Sequence, residues 1–209
     1  MAINPNNMHK PEHRLLVGAT GARKTSYIKQ QEKNYKYRIK WDPESDHTGH
    51  RYKSIPAFGR ALLKAVKSGK PFNIALTVDP TKENYELFCE LVWEIADGRR
   101  KTLIVVEEKS DVAWSIAKTG KYDGYIQRKG RKYWLHVWTV TQAPTEIDKT
   151  TWKQAIYKWC GFIEDDLTVN KMKGVMRVPI DKLTTMEQGE YYLKIGGIRD
   201  PQHGKVTFN

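Results

Sequence analysis

The sequence predicts an α/β protein whose mostly parallel central sheet carries helices on both faces. Three observations lead there. Short apolar, β-branched runs alternate with segments whose apolar residues recur at helical spacing, the rhythm of a parallel sheet wrapped by crossover helices. The first run, Leu15-Leu16-Val17, empties into a glycine turn and then into a helix-like segment headed by Lys24-Thr25. A later run, Thr102 to Val106, delivers Glu107 and Glu108 at its carboxyl end, the edge where such sheets gather their ligands.

The glycine turn reads as a phosphate-binding loop. Gly18 and Gly21 permit backbone conformations that aim successive N–H groups inward, and the following helix offers its positive end to an anion. GATGARKT matches G-x-x-x-x-G-K-[ST] at Gly18, Lys24 and Thr25 and departs from it at Arg23, where the second glycine belongs. The candidate nucleotide-binding residues are therefore Gly18, Ala19, Thr20, Gly21, Ala22, Arg23, Lys24, Thr25 and Ser26. Lys24 would reach the β and γ phosphates, and Thr25 would place its hydroxyl on Mg²⁺. The plain alternative is a strand, a turn and a helix with an incidental lysine.

Residues 1–13 are polar, carry two prolines and read as a flexible arm. A helix runs from about Lys24 into QQEKN, and Tyr37 to Trp41 alternates as a strand closed by Asp42-Pro43. The stretch 44–56 reads as a polar loop. Its His47 and His50 have HxxH spacing, but zinc is disfavoured because no Cys or second His pair stands nearby. Ala57 to Lys67 is a helix stopped by Ser68-Gly69, Phe72 to Val78 a strand, and Asn84 to Ala96 a helix with apolar residues at helical spacing.

Thr102 to Glu108 is the buried strand with the acid pair. In a phosphate-loop enzyme Glu107 would hold Mg²⁺ and Glu108 would orient and deprotonate the attacking water; two solvated acids ending a strand are the plain alternative. Ser110 to Lys118 reads as a short helix or lid, and Gly120 to Lys132 as a basic, glycine-punctuated segment with Arg128 and Arg131, otherwise a solvated loop. Tyr133 to Thr141 is another buried strand, ending at Gln142-Ala143-Pro144, where the Gln142 amide is placed to sense a γ-phosphate or the attacking water. Residues 150–159 read as a helix, 160–164 as a strand, 165–183 as basic residues mixed with turns, and Tyr191 to Ile195 as a last strand before a polar tail, 197–209.

The length suits one α/β domain, here 14–196, rather than two full domains. Lys and Arg number 36 against 24 Asp and Glu, a net charge of 36 − 24 = +12 with a pI near 9.5, which points to a polyanionic partner; a basic fold without one is the alternative. Two distant cysteines, Cys89 and Cys160, argue against a disulfide framework and for a reducing compartment. The N-terminus has no apolar signal core, and no stretch is long and apolar enough for a membrane span.

Taken together, GATGARKT, LIVVEE, a basic QRKGR segment and a strand ending in VTQAP resemble the FtsK–HerA superfamily of P-loop ATPases, with their RecA/ASCE-like fold. The likeness is greatest to the genome-packaging ATPases of tailless, membrane-containing icosahedral viruses. It spans about Arg14 to Pro144, and the Thr-Gln-x-Pro element is its most discriminating part. The resemblance implies ATP with Mg²⁺ at Lys24, Thr25 and Glu107, with Glu108 as base and Gln142 as polar sensor. It also implies Arg131, or less favourably Arg128, as an arginine reaching a neighbouring subunit's nucleotide, and antiparallel strands closing the sheet. The implied activity is ATP-driven translocation of double-stranded DNA into a preformed capsid. The implied partners are DNA, further copies in a ring of six, and capsid vertex proteins, in host cytoplasm or at the virion's packaging vertex. DNA contact would fall on phosphates, through such residues as Lys171, Lys173, Arg177, Lys118, Lys121, Lys129 and Lys132. A Zot-like phage morphogenesis ATPase and a non-catalytic basic nucleic-acid-binding protein with a degenerate loop are the alternatives.

Overall fold

The computed structural model describes residues 2–207. In chain order the elements are β1 Arg14–Val17, α1 Lys24–Gln31, β2 Tyr37–Trp41, β3 His50–Tyr52, α2 Ile55–Ser68, β4 Phe72–Leu76, α3 Lys82–Glu94, β5 Thr102–Val106, α4 Lys109–Val112, α5 Lys121–Lys129, β6 Leu135–Thr141, α6 Lys149–Gln154, β7 Tyr157–Cys160, α7 Asp166–Met176, α8 Ile180–Thr184, β8 Glu190–Ile195 and β9 Gln202–Lys205. They form one nine-stranded sheet ordered β3-β4-β2-β5-β6-β1-β7-β8-β9. From β3 to β7 every pairing is parallel, and β8 and β9 add antiparallel strands at one edge. The mostly parallel sheet with antiparallel strands from the C-terminal part is borne out.

Side-chain alternation along the strands builds two core layers. Ile104 and Val106 of β5 face one side, packed with Phe58 and Leu62 of α2 and Phe88 and Val92 of α3. On that same side Leu15 and Val17 of β1 meet Val169, Met172 and Met176 of α7 and Leu183 of α8. Leu103 and Val105 turn the other way and join Leu16, Trp138 and Trp159 against Tyr27 and Ile28 of α1. Helices thus cover both faces, and β5 and β6 are buried along their whole length.

Several local expectations are corrected. The polar stretch 44–56 contains β3, whose HRY has no apolar pattern; it is held by its ladder to Ile74, Ala75 and Leu76, and a short polar strand is how an exposed sheet edge resists further pairing. The basic segment 120–132 is helical, because the Glu86 carboxylate accepts from the Tyr122 and Asp123 amides at 2.6 and 3.4 Å and satisfies the first turn of α5. Helix α6 stops at Gln154, and the strand begins at Tyr157, earlier than 160, because Arg14 to Val17 need a parallel partner there. Residues 166–176 form α7, capped by the Asp165 carboxylate at the Thr168 amide. The stretch read as a tail supplies β9, and Val206 is buried with its amide on the Gly189 carbonyl at 2.8 Å. The stretch read as a flexible arm is docked: the Ile3 amide donates to the Ala96 carbonyl at 2.9 Å and the Asn6 amide to the Lys132 carbonyl at 2.7 Å. Met1 of the arm and residues 208 and 209 of the tail lie outside the described residues.

Below the amino ends of the central strands two histidines are buried. His13 accepts from the Val137 amide at Nδ1 and donates from Nε2 to the Gln127 carbonyl, each at 3.2 Å, a pairing only the neutral ring can make. The Tyr35 hydroxyl sits 2.9 Å from His136 Nδ1. Burial lowers His13 from 6.5 to about 4. Burial, with Lys101, His13 and Arg14 nearby, lowers His136 to about 3. Between those values and 6.5 the unfolded chain binds more protons than the folded one, so this contribution to stability is complete above pH 6.5 and is lost as pH falls toward 4. His13 alone accounts for roughly 3 kcal/mol of that loss. Urea unfolding at pH 7 and at pH 4.5 should show it as a lower midpoint at unchanged slope; equal midpoints would contradict the assignment.

Candidate functional site

Strand β1 ends at Val17 and the chain turns at once, because the Ala19 amide is held by the Phe162 carbonyl at 2.8 Å and Ala22 folds back on Ala19 at 3.2 Å. A Cβ at Gly18 would stand 2.8 Å from the Ala22 Cβ, and Gly21 has φ +82°, so the turn admits side chains at neither. Arg23 adopts φ 69°, ψ 28° just before α1. This is the left-handed conformation for which the motif places glycine, and an L side chain there costs about 1–2 kcal/mol. Its guanidinium Nη2 donates to Gln188 Oε1 at 3.0 Å, and Gln188 Nε2 reaches the Gly21 carbonyl at 3.5 Å, so the side chain links the loop to the stretch before β8.

Lys24 opens α1 with its ammonium folded over the loop, donating to the Gly18 and Ala19 carbonyls at 2.6 and 3.1 Å. Burial lowers its pKa, opposed by the charges of Glu108, Glu107 and Asp46. Thr25 and Ser26 follow on the first turn and line the same cleft, whose volume is about 310 Å³.

The acid pair enters from β5. Glu107 is buried, its amide on the Trp41 carbonyl at 3.1 Å, and His47 Nε2 donates to its Oε1. His47 is brought there from a loop by Asp42, a fully buried carboxylate at the end of β2 that accepts from the Asp46 and His47 amides at 2.8 and 3.1 Å. Glu108 turns the chain at φ 39°, ψ 63°. Its Oε1 accepts from Gln142 Nε2 at 3.0 Å, and Gln142 Oε1 accepts from Thr20 Oγ1 at 3.0 Å. One amide side chain just past β6 therefore spans from the loop to the second acid. Asp111 lies beside them in the cleft, its carboxyl pushed up by burial and then by the charges of Glu108 and Glu146.

The structure brings together the loop residues, Glu107, Glu108 and Gln142, and separates the two arginines from them. Arg131 sits at the amino end of β6, where its Nη1 donates to the Asn7 and His9 carbonyls at 3.0 and 2.9 Å and fastens the N-terminal stretch. Arg128 is exposed on the last turn of α5, where its Nη1 makes a long 3.5 Å approach to Thr119 Oγ1. Among the basic residues named for nucleic acid, Lys171 is tied to the Pro144 carbonyl and stacks on Trp152, while Lys118, Lys121, Lys129, Lys132, Lys173 and Arg177 are exposed. Of the HxxH pair, His47 turns inward to Glu107 and His50 is exposed on β3. Among the described residues, no three His, Cys, Asp or Glu side chains gather as a metal cluster, and no helix is long and apolar enough to cross a membrane. Asp42 and His47 were visible in the sequence as the acid closing β2 and half of an HxxH pair, but nothing local showed that the first carries the second to Glu107.

Comparison with known proteins agrees with this architecture. No protein-family model matches the chain. Protein P9 of Pseudoalteromonas phage PM2 is 35% identical over 208 residues, covering 94% of this chain and 91% of that protein. The genome packaging NTPase B204 of Sulfolobus turreted icosahedral virus 2, solved with AMPPCP, superposes with a TM-score of 0.76 at 14% identity, over 96% of this chain and 100% of that one. VirB4 of Thermoanaerobacter pseudethanolicus superposes at 0.65 with 11% identity, over 94% and 90%. The fold is that of the P-loop NTPases, and the resemblance to packaging ATPases drawn from the sequence is borne out.

Arg23 gives a direct test of the loop's backbone. Arg23→Ala keeps the left-handed strain and removes the Gln188 contact, whereas Arg23→Gly removes both. Urea unfolding should find Arg23→Gly more stable than Arg23→Ala by about 1 kcal/mol; an alanine variant equal to or above the glycine one would show that position 23 is unstrained.

Proposed function

The chain belongs to the family of Protein P9 of Pseudoalteromonas phage PM2, and from that premise we propose that it is a magnesium-dependent ATPase that drives double-stranded DNA into a preformed viral capsid. One observation carries the reading: a lysine-tipped amide loop and a strand-end acid pair face one cleft, joined by Gln142 through Thr20 and Glu108. The likeness to B204, a genome packaging NTPase captured with a nucleotide analogue, supports the same substrate and task.

In this reading the loop amides and Lys24 hold the β and γ phosphates. A phosphate entering the loop displaces the Gly18 and Ala19 carbonyls from the ammonium, since a charged acceptor makes the stronger hydrogen bond. Thr25 and Glu107, which line the same cleft, are the residues that would hold Mg²⁺, a hydroxyl and a single carboxylate suiting a hard cation that keeps several of its waters. A magnesium ion held by these residues would supply charge neutralisation for the phosphoryl group being transferred. His47 fixes the rotamer of Glu107. Glu108 takes the proton of the attacking water, and Gln142, bonded to Thr20 of the loop, registers whether a phosphate occupies it.

The guanidinium that completes the site comes from a neighbouring copy in a ring. Arg128 fits this role better than Arg131: it is exposed, while Arg131 is committed to the N-terminal stretch. DNA phosphates are gripped by exposed lysines and arginines, and capsid vertex proteins form the docking partner.

Two experiments test this. ATP hydrolysis should need Mg²⁺, rise with added double-stranded DNA, and fall by at least about a hundredfold in Lys24→Ala and in Glu108→Gln, with Glu108→Gln still binding ATP. Wild-type protein that neither binds nor hydrolyses ATP would end the proposal. In the second, Arg128→Ala should bind nucleotide normally yet lose about a thousandfold in turnover, while Arg131→Ala should mainly release the N-terminal stretch to protease; the reverse pattern returns the trans role to Arg131.

A further inference from the structure

The residue that follows the proposed base turns its back on the cleft. Lys109 is 1% exposed, and its ammonium donates to Asp123 Oδ2 at 2.6 Å, lies 4.0 Å from Asp148 Oδ2 and stands 4.2 Å over the Tyr85 ring. The Tyr85 hydroxyl donates to Asp123 Oδ1 at 3.2 Å. Asp148 also caps α6, accepting from the Thr151 amide and hydroxyl at 2.8 Å each. Lys109, Asp123, Asp148 and Tyr85 are all buried, and none of the four lines the nucleotide cleft.

Apolar side chains of the same volume would fill this space at equal or lower free energy, because taking an ammonium and a carboxylate out of water costs about what their attraction returns. What the charged pair adds is direction. With Lys109 anchored inward, the backbone must reverse at the preceding residue, and Glu108 accordingly sits at φ 39° with its carboxylate turned out to Gln142. The anchor point is part of a helix tied to its neighbour. Asp123 belongs to the first turn of α5, which is fixed to α3 through Glu86, and Arg128 lies on the same helix, roughly 7.5 Å further along its axis.

We propose that Lys109 is a positioning residue for Glu108, and that the Lys109–Asp123 pair ties the aim of that carboxylate to the seating of α5. A surface pressing on the exposed end of α5 at Arg128 moves Asp123 with it, and the turn at Glu108 follows. The proposal rests on the reading of Glu108 as the base in ATP hydrolysis and adds a route by which a neighbour's contact reaches it.

The test compares the wild type with Lys109→Met, Asp123→Asn and the double variant, reading thermal midpoint, ATP affinity, KM and kcat on the full chain. Lys109→Met alone strands the buried Asp123 carboxylate, while Asp148 keeps the Thr151 amide and hydroxyl, and should lower the midpoint sharply. The double variant removes the pair together and should regain most of the midpoint and keep affinity and KM within about twofold, while kcat stays down by roughly ten- to a hundredfold, the cost of a misaimed group. A merely structural pair predicts instead that kcat returns with the midpoint, and that result overturns the proposal. If the double variant does not fold, Asp123→Asn carries the test: a kcat equal to wild type overturns the proposal, and a reduced kcat at unchanged KM supports it. Wild-type protein without ATP hydrolysis removes the functional reading and this inference with it, whereas an active wild type with an equally active double variant removes only the inference.

Discussion

The parallel hydrogen-bond register of β5, β6 and β1 is the constraint on which the site depends. Val17 is level with Thr141 across β1 and β6, and Val106 is level with Thr139 across β5 and β6. Strand β6 therefore runs two residues past β5, and the three carboxyl ends form a step. On it the glycine loop, the acid pair and Gln142 arrive within hydrogen-bond reach of one another. A slip of one residue in either pairing would send each of these side chains to the opposite face. The buried apolar side chains that forbid the slip, Leu16 and Val140 on one face and Ile104 and Val137 on the other, are thus as necessary to the site as the residues that line it.

That rigid step carries two residues in backbone conformations that L side chains avoid, Arg23 at φ 69° and Glu108 at φ 39°. Such positions persist only where the surroundings over-determine them, and they gather at functional sites. Each has an identifiable restraint. Arg23 is tied through its guanidinium to Gln188, so the antiparallel edge of the sheet supports the loop. Glu108 is held between Lys109, anchored below the strand end, and Gln142 above it.

What the sequence disclosed was whatever is encoded locally. The apolar runs of β1, β5 and β6 are buried throughout, so their composition marks them without any knowledge of their neighbours, and the motif residues lie directly after them in the chain. What it hid was set by distant partners. Strand β3 is polar and exists through its ladder to β4. Helix α5 has Gly124 at its centre and owes its first turn to Glu86, which is 36 residues from Tyr122. The contact of His47 with Glu107 joins residues 60 apart and belongs to no motif. Helix α7 was legible in principle: Val169, Met172 and Met176 fall on one face and are buried, but lysines and a glycine between them masked the period. Arg131 shows the converse case, a residue well placed in the motif order whose guanidinium is spent on the Asn7 and His9 carbonyls.

The distribution of charge follows from the same geometry. Although the chain carries a net +12, the cleft is lined by Glu44, Asp46, Glu107, Glu108 and Asp111 against Arg23 and Lys24, and Arg23 is bonded to Gln188. Lys132 lies just before the amino end of β6, the length of that strand from the cleft, or about 23 Å for its seven residues. That separation is nearly three times the screening length of about 8 Å at physiological ionic strength, so this cation does little to neutralise the acids. A polyphosphate alone would meet repulsion in this cleft, and under the proposed function it can settle only together with a divalent cation shared with the carboxylates. Charge at the amino end of β6 and the acidic cleft are therefore electrostatically separate, and any influence of an anion bound at that end on the cleft has to pass through packed strands and helices rather than through the field.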